Sequence, residues 1–288
     1  MAVCGATNSE PPVAAMLSHI DWPGDLAATV AAHRELPCAV DETSRLTYGE
    51  FGALAAALAR RLLAEGLVPG EAVATCLPNS VAAAWASAAL RLAGAAETPL
   101  NPAFTAAERR YCLDLAGVRR VIAERGDADF FAGEGCAVAA IEEIVPDATP
   151  GTFRPVPAAA WGRISFTSGT TGKPKAIVHT HGARWIANLL QRASFWEMPR
   201  PESAILLMTP MTHGAGLIAQ PFLDHGARLE LRRGVDVAEV ERLLKAGAID
   251  HLFAPPKLTS AHAPLMLRNP PEREWPRCAR RRAERMHH

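Results

Sequence analysis

The sequence predicts an α/β protein made of two side-by-side α/β subdomains with mostly parallel sheets. Three observations carry this expectation. Apolar runs of strand length alternate with segments of helical period, Thr, Asn or Ser stands ahead of several helical segments, and glycines close them. Strands joined through helices form βαβ units, which place neighbouring strands parallel.

Residues 1–45 read as an N-terminal extension and lead-in, and residues 46–145 as the first subdomain. In LTYGEFGALAAALARRLLAEG, Thr47 and Glu50 form a capping box, Phe51, Leu54, Leu58 and Leu62 share a helical face, and Gly66 supplies the stop. AVATCLP follows as a buried strand, and Asn79 and Ser80 cap a helix over 81–93 that ends at Gly94. The pattern repeats with an extended piece at 95–100, a capping box at Thr105 and Glu108, a helix to Ala116 and the strand VRRVIAE.

Pro- and Ala-rich residues 146–160 read as a connector. The second subdomain, 161–263, opens with the strands WGRISF and AIVHT and a helix over 185–195. The strand AILLMTP, an apolar helix over 217–223 and the strand ARLEL come next. VAEVERLLKAG then forms a helix with Val237, Val240, Leu243 and Leu244 on one face, before the strand DHLFAPP. Residues 264–288 have clustered prolines, three successive arginines and no period of 2 or 3.6. They read as a disordered or aberrant end, with a basic interaction tail as the alternative and an out-of-frame reading of GC-rich DNA as one origin.

Composition narrows the function classes. The chain has 288 residues, 49% hydrophobic and 21% charged, with 30 Lys plus Arg against 30 Asp plus Glu, so no overall field favours nucleic acid or an anionic membrane. Six scattered cysteines without a C-x-x-C pair suit reduced thiols better than a zinc site or a disulfide framework. The start lacks a basic signal region, and Arg91, Gly94 and Glu97 interrupt the Ala-rich stretch from Val81. The expectation is a cytoplasmic chain with no membrane span; oligomeric state is left open.

One stretch carries chemistry. SFTSGTTGKPKAIVHTHG crowds hydroxyls around Gly169 and Gly172 ahead of Lys173 and Lys175, and glycines, hydroxyls and lysines together suit a polyphosphate. A Walker A loop is excluded because Thr167 stands where its first Gly belongs and Pro174 follows Lys173. A dinucleotide fingerprint opens a helix, whereas β-branched AIVHT follows here, so the loop joins two strands. His179 and His181 sit two apart in that strand with no third ligand at matching spacing, which favours surface or hydrogen-bonded roles over a metal site.

The stretch resembles the phosphate-binding signature of the adenylate-forming (AMP-binding) superfamily, which includes acyl-CoA synthetases, luciferases and peptide-synthetase adenylation domains. Ala176 stands where that family usually has Gly. The likeness runs from about Leu46 to Ala261 and takes in LTYGEF, GAAETPLNPAFT, LLMTPMTHGAGL and HLFAPPKLTSA. It implies the N-terminal domain of the adenylate-forming fold, cut short. It also implies an ATP-dependent acyl-CoA ligase that converts a small-molecule carboxylic acid to an acyl-adenylate, with Mg2+, and passes the acyl group to coenzyme A. By this resemblance Thr167, Ser168, Gly169, Thr170, Thr171, Gly172 and Lys173 cradle the β- and γ-phosphates, and Lys175 adds charge. His213 falls at the acyl-pocket gate, with a buried helix-start histidine as the alternative.

Adenylation domains for amino acids place an aspartate there to grip the α-ammonium, so His213 points to an acid without an α-amine. The family's Y-G-x-T-E motif, with its Mg-linked glutamate, and its T-G-D motif have no counterpart. The chain is therefore expected to be weak or inactive alone, with a non-catalytic nucleotide- or phosphate-binding module as the alternative.

Overall fold

The computed structural model describes residues 18–147, 153–167, 174–195, 198–212, 214–234 and 236–253. Strand β1 (His19–Ile20) leads into helix α1 (Trp22–His33), whose cap Asp21 accepts the Gly24 amide at 2.9 Å. Strands β2 (Pro37–Val40) and β3 (Arg45–Thr47) precede α2 (Tyr48–Ala64), where the Thr47–Glu50 capping box forms as its sequence predicts. The next units are β4 (Ala72–Cys76), α3 (Val81–Ala93), β5 (Ala96–Pro99), α4 (Ala106–Ala116) and β6 (Arg120–Ala123). Then come α5 (Arg125–Gly133), β7 (Ala137–Ala140), β8 (Val156–Pro157), β9 (Trp161–Thr167), β10 (Lys175–Thr180) and α6 (His181–Ser194). The described chain ends with β11 (Ala204–Leu207), α7 (Gly214–Leu223), β12 (Arg228–Leu231), α8 (Val237–Lys245) and β13 (His251–Phe253).

These strands make two parallel-rich sheets and a two-stranded pair, β1 with β8. The six-stranded sheet has the order β10-β9-β5-β4-β6-β7 and the five-stranded sheet the order β13-β11-β12-β2-β3. The antiparallel neighbours in them are β9 with β10 and β2 with β3.

Sheet membership does not follow the division of the chain at 46, 146 and 161. The lead-in strand β2 joins β12, and the hairpin β9–β10 that opens the later half joins β5 of the earlier sheet. A period-2 pattern reports that a segment is a strand and which face it buries, but not its partner. The segment treated as a connector also contributes structure, since Val156 and Ala158 pack with Ile20 and Trp22. The stretch 264–288 lies outside the described residues.

Alternating residues of each strand face different layers. Val73 and Ile122 turn to a core shared with α2, α3 and α7, where Ile205, Leu207, Leu229 and Leu231 arrive from the other sheet. Ala72, Ala74, Cys76 and Val121 turn the opposite way onto α4 and α5. Ala204 and Leu206 likewise turn outward onto Val240 and Leu243 of α8. The two sheets thus share one inner helix layer, and α3 within it is buried at every residue except Ala82.

Polar ties cross this layer. The buried Tyr48 hydroxyl lies 2.7 Å from the Ala227 carbonyl and 3.1 Å from that of Leu223, and Asn79 Nδ2 donates to the Leu207 and Arg232 carbonyls at 3.0 and 2.8 Å. Replacing Tyr48 with Phe leaves both buried carbonyls without that donor. We expect Tyr48→Phe to lower unfolding free energy by about 1–3 kcal/mol, read as a lower urea midpoint at unchanged m-value.

Candidate functional site

The hairpin β9–β10 sets the site. β9 runs parallel to β5, so the turn after Thr167 leaves from the carboxyl ends of the parallel strands, where open α/β sheets bind ligands. Thr167 pairs in register with Lys175, and both are exposed at the base of that turn. Lys175 makes no ion pair among the described residues, so its charge is available to an anion. Ser168, Gly169, Thr170, Thr171, Gly172 and Lys173 lie outside the described residues, as does His213.

The chain next to position 213 is held against β9. Arg163 Nη2 donates to the Met211 carbonyl at 3.1 Å and the Thr212 carbonyl at 3.2 Å, while its Nη1 donates to Glu97 Oε2 at 2.8 Å. Arg184 of α6 donates to the same Glu97 oxygen at 3.2 Å and to the Gly162 carbonyl at 2.7 Å. Side-chain exposures of 1% for Arg163, 6% for Arg184 and 5% for Glu97 make this a buried network. Gly216 completes it, because a Cβ there would collide with the Met211 carbonyl oxygen.

Burial alone would raise the Glu97 carboxyl, but Arg163, Arg184 and Arg91 outweigh it and hold the group at about 2. Burial pulls Arg184 down to about 9 against the attraction of Glu97. His181 Nδ1 accepts from Trp22 Nε1 at 3.2 Å, and burial, reinforced by Arg184, lowers the imidazole to about 4. The His179–His181 pair is not a shared face: His179 is exposed on β10, whereas His181 begins α6 and is buried. Among the described residues no group of three or more His, Cys, Asp or Glu is placed to hold a metal.

This network was missed in reading the sequence. Its signal is an isolated charge inside an otherwise apolar or small run, Glu97 in GAAETPL and Arg163 in WGRISF.

The fold and this site define an adenylate-forming architecture. The chain matches the AMP-binding enzyme family over residues 26–274 and belongs to it. Phosphinothricin tripeptide synthetase PhsB of Streptomyces viridochromogenes is 31% identical over 231 residues, which cover 76% of this chain and 19% of that protein. Long-chain-fatty-acid–CoA ligase FadD13 of Mycobacterium tuberculosis is 30% identical over 217 residues, 70% of this chain and 42% of that protein. Among solved structures, the inhibitor-bound N-terminal domain of FACL13 from M. tuberculosis superposes with a TM-score of 0.73 at 23% identity, covering 85% of this chain and 64% of that one. The N-terminal subdomain of Klebsiella oxytoca NpsA with 3-hydroxyanthranilyl-AMSN gives 0.70 at 21% identity, covering 85% and 62%. The chain therefore spans less than half the length of the two relatives matched by sequence. The fold is that of the N-terminal domain of adenylate-forming enzymes.

Arg163→Leu strands Glu97 with Arg184 alone and frees the 211–212 carbonyls. We expect a loss of about 3–5 kcal/mol in denaturant unfolding, larger than for Arg163→Lys, which keeps the charge.

Acid should act in two stages. His181 binds its proton less readily folded than at its ordinary 6.5, so stability falls as pH drops from about 6.5 to about 4, by about 3 kcal/mol. Glu97, depressed from 4.5 to about 2, contributes stability above about pH 4.5 that is lost on further acidification. In His181→Gln the first stage should vanish from a plot of unfolding free energy against pH while the second persists.

Proposed function

We propose that this chain supplies the triphosphate-binding part of an ATP-dependent acyl-CoA ligase that activates a carboxylic acid lacking an α-amine. The reading rests above all on the hairpin, which sets exposed Thr167 and Lys175 face to face at the carboxyl ends of parallel strands, flanking the hydroxyl- and glycine-rich turn. That donor set fits a triphosphate: hydroxyls and amides donate hydrogen bonds and carry no charge of their own, and Lys175 brings a cation that makes no ion pair among the described residues.

When bound with Mg2+, ATP supplies an activated α-phosphorus, from which a carboxylate displaces pyrophosphate to give an acyl-adenylate. In this assignment Ser168, Gly169, Thr170, Thr171, Gly172 and Lys173 hold the β- and γ-phosphates together with Thr167 and Lys175. Arg163 is a positioning residue in this assignment: it grips the carbonyls of Met211 and Thr212, the two residues that precede His213 in the chain. Both a peptide synthetase and a fatty-acid–CoA ligase are among the relatives, and His213 in place of an ammonium-binding aspartate favours the ligase. Coenzyme A as the acceptor thiol belongs to the same reading. So does a cytoplasmic setting, in keeping with the free, buried Cys38, Cys76, Cys112 and Cys136.

Titration calorimetry with ATP and with pyrophosphate tests the phosphate site, and Lys175→Ala should weaken both by about tenfold. Pyrophosphate exchange driven by fatty and aryl acids then separates the readings. Exchange above background supports the ligase and overturns the expectation that the chain is inactive alone, and a folded chain that binds neither ATP nor pyrophosphate overturns the ligase and the non-catalytic module together.

A further inference from the structure

Arg163, Ser165 and Thr167 alternate along β9, and across the hairpin they pair with His179, Ile177 and Lys175 of β10. Side chains two apart on a strand share a face, as do those paired directly across an antiparallel ladder. Arg163 reaches the Met211 carbonyl, so this face turns toward the inner layer, whereas Ile164 and Phe166 turn the other way onto the layer of α4 and α5. None of the six residues is acidic.

Burial falls off along the row: Arg163 is buried, Ser165 is half-buried, and Thr167 and Lys175 are exposed. Ser165 is the step between the buried network and the base of the turn. Its Oγ accepts from Arg163 Nε at 3.2 Å, and among the described residues no group accepts its proton. The adjacent Met211 and Thr212 carbonyls are engaged by Arg163 Nη2 at 3.1 and 3.2 Å. A hydroxyl that accepts from a guanidinium is polarised toward donating in turn. Its cross-strand neighbour Ile177 is 44% exposed, so the face beside Ser165 is open to a ligand.

A group that takes this proton must be an acceptor, and the Lys175 pair one step further out, at about 7 Å along the strand, favours an anionic one. We propose that Ser165 is a binding residue for an anionic oxygen lying inward of the phosphate turn: an oxygen of the α-phosphate of ATP, or of the carboxylate of the acid to be activated. The assignment rests on the reading of this chain as one that binds ATP and activates a carboxylic acid. Pyrophosphate carries neither group, which makes it the control.

Calorimetry on the 288-residue chain compares wild type, Ser165→Ala and Ser165→Thr with pyrophosphate, with ATP, and with benzoate and hexanoate in the presence of ATP. Ser165→Ala should bind pyrophosphate as wild type does. It should lose tenfold or more in affinity for ATP where the oxygen belongs to the α-phosphate, or for an acid alone where it belongs to the carboxylate. Ser165→Thr, which keeps the hydroxyl, should restore what Ser165→Ala loses. Should Ser165→Ala not fold, Ser165→Cys, whose thiol donates only weakly, takes its place with the same expected losses. No loss for ATP together with no loss or no binding for both acids overturns the assignment. So does an equal loss for pyrophosphate, or a Ser165→Thr as weak as Ser165→Ala. A wild-type chain that binds neither pyrophosphate nor ATP counts against the phosphate site itself, and the role of Ser165 falls with it; binding of both without any effect at Ser165 sinks that role alone.

Discussion

One oxygen of Glu97 receives two guanidiniums, and the arrangement of the candidate site follows from that. Glu97 belongs to β5, Arg163 to β9 and Arg184 to α6, so the shared carboxylate ties the first strand of the β9–β10 hairpin to the helix that follows that hairpin. Arg163 Nη2 then donates to the Met211 and Thr212 carbonyls, which lie after β11 of the other sheet, and its Nε to Ser165 Oγ. Apolar side chains of the same volume could match such a cluster in stability. They could not donate to two peptide carbonyls at once, as Arg163 Nη2 does.

Much of the element order was legible because each helix announces itself locally. The Thr47–Glu50 and Thr105–Glu108 boxes and the Ser80 cap are side-chain-to-backbone contacts spanning three residues, so their geometry is encoded in adjacent sequence. Helix α1 gave less signal: Pro23 and Gly24 fall in its first turn, and of its residues only Trp22 and Pro23 are buried. Strand β2, four residues long, acquires its meaning from β12, far away in the chain. Pairing over such separation depends on which apolar faces meet in the inner layer, and no local pattern carries that information.

The site divides in the same way. The hydroxyls, glycines and lysines after Thr167 can be read as a set because they are contiguous in sequence, whereas Glu97, Arg163 and Arg184 are drawn together from three elements. A charge in a strand-like run weakens the pattern used to find the strand, and its partner stays invisible until the sheet is assembled. The two histidines fail for a related reason. His179 and His181 share a phase only if β10 continues, but Thr180 caps α6, and the change of period turns one side chain outward and the other into the core.

Helix α3 shows what the shared layer demands. Buried on nearly all sides between two sheets, it uses alanine at most positions because close approach of both sheets leaves little room for longer side chains. Arg91 is the exception and stands in its last turn, where the negative end of the helix dipole offsets part of a buried charge. That offset is about 1 kcal/mol, against several for an ion withdrawn from water. Glu97 and Asp224 add attraction from a distance, yet neither accepts a hydrogen bond from Arg91. The guanidinium also lies over the ring of Trp22, 5.9 Å from its centroid, which ties the end of α3 to the start of α1.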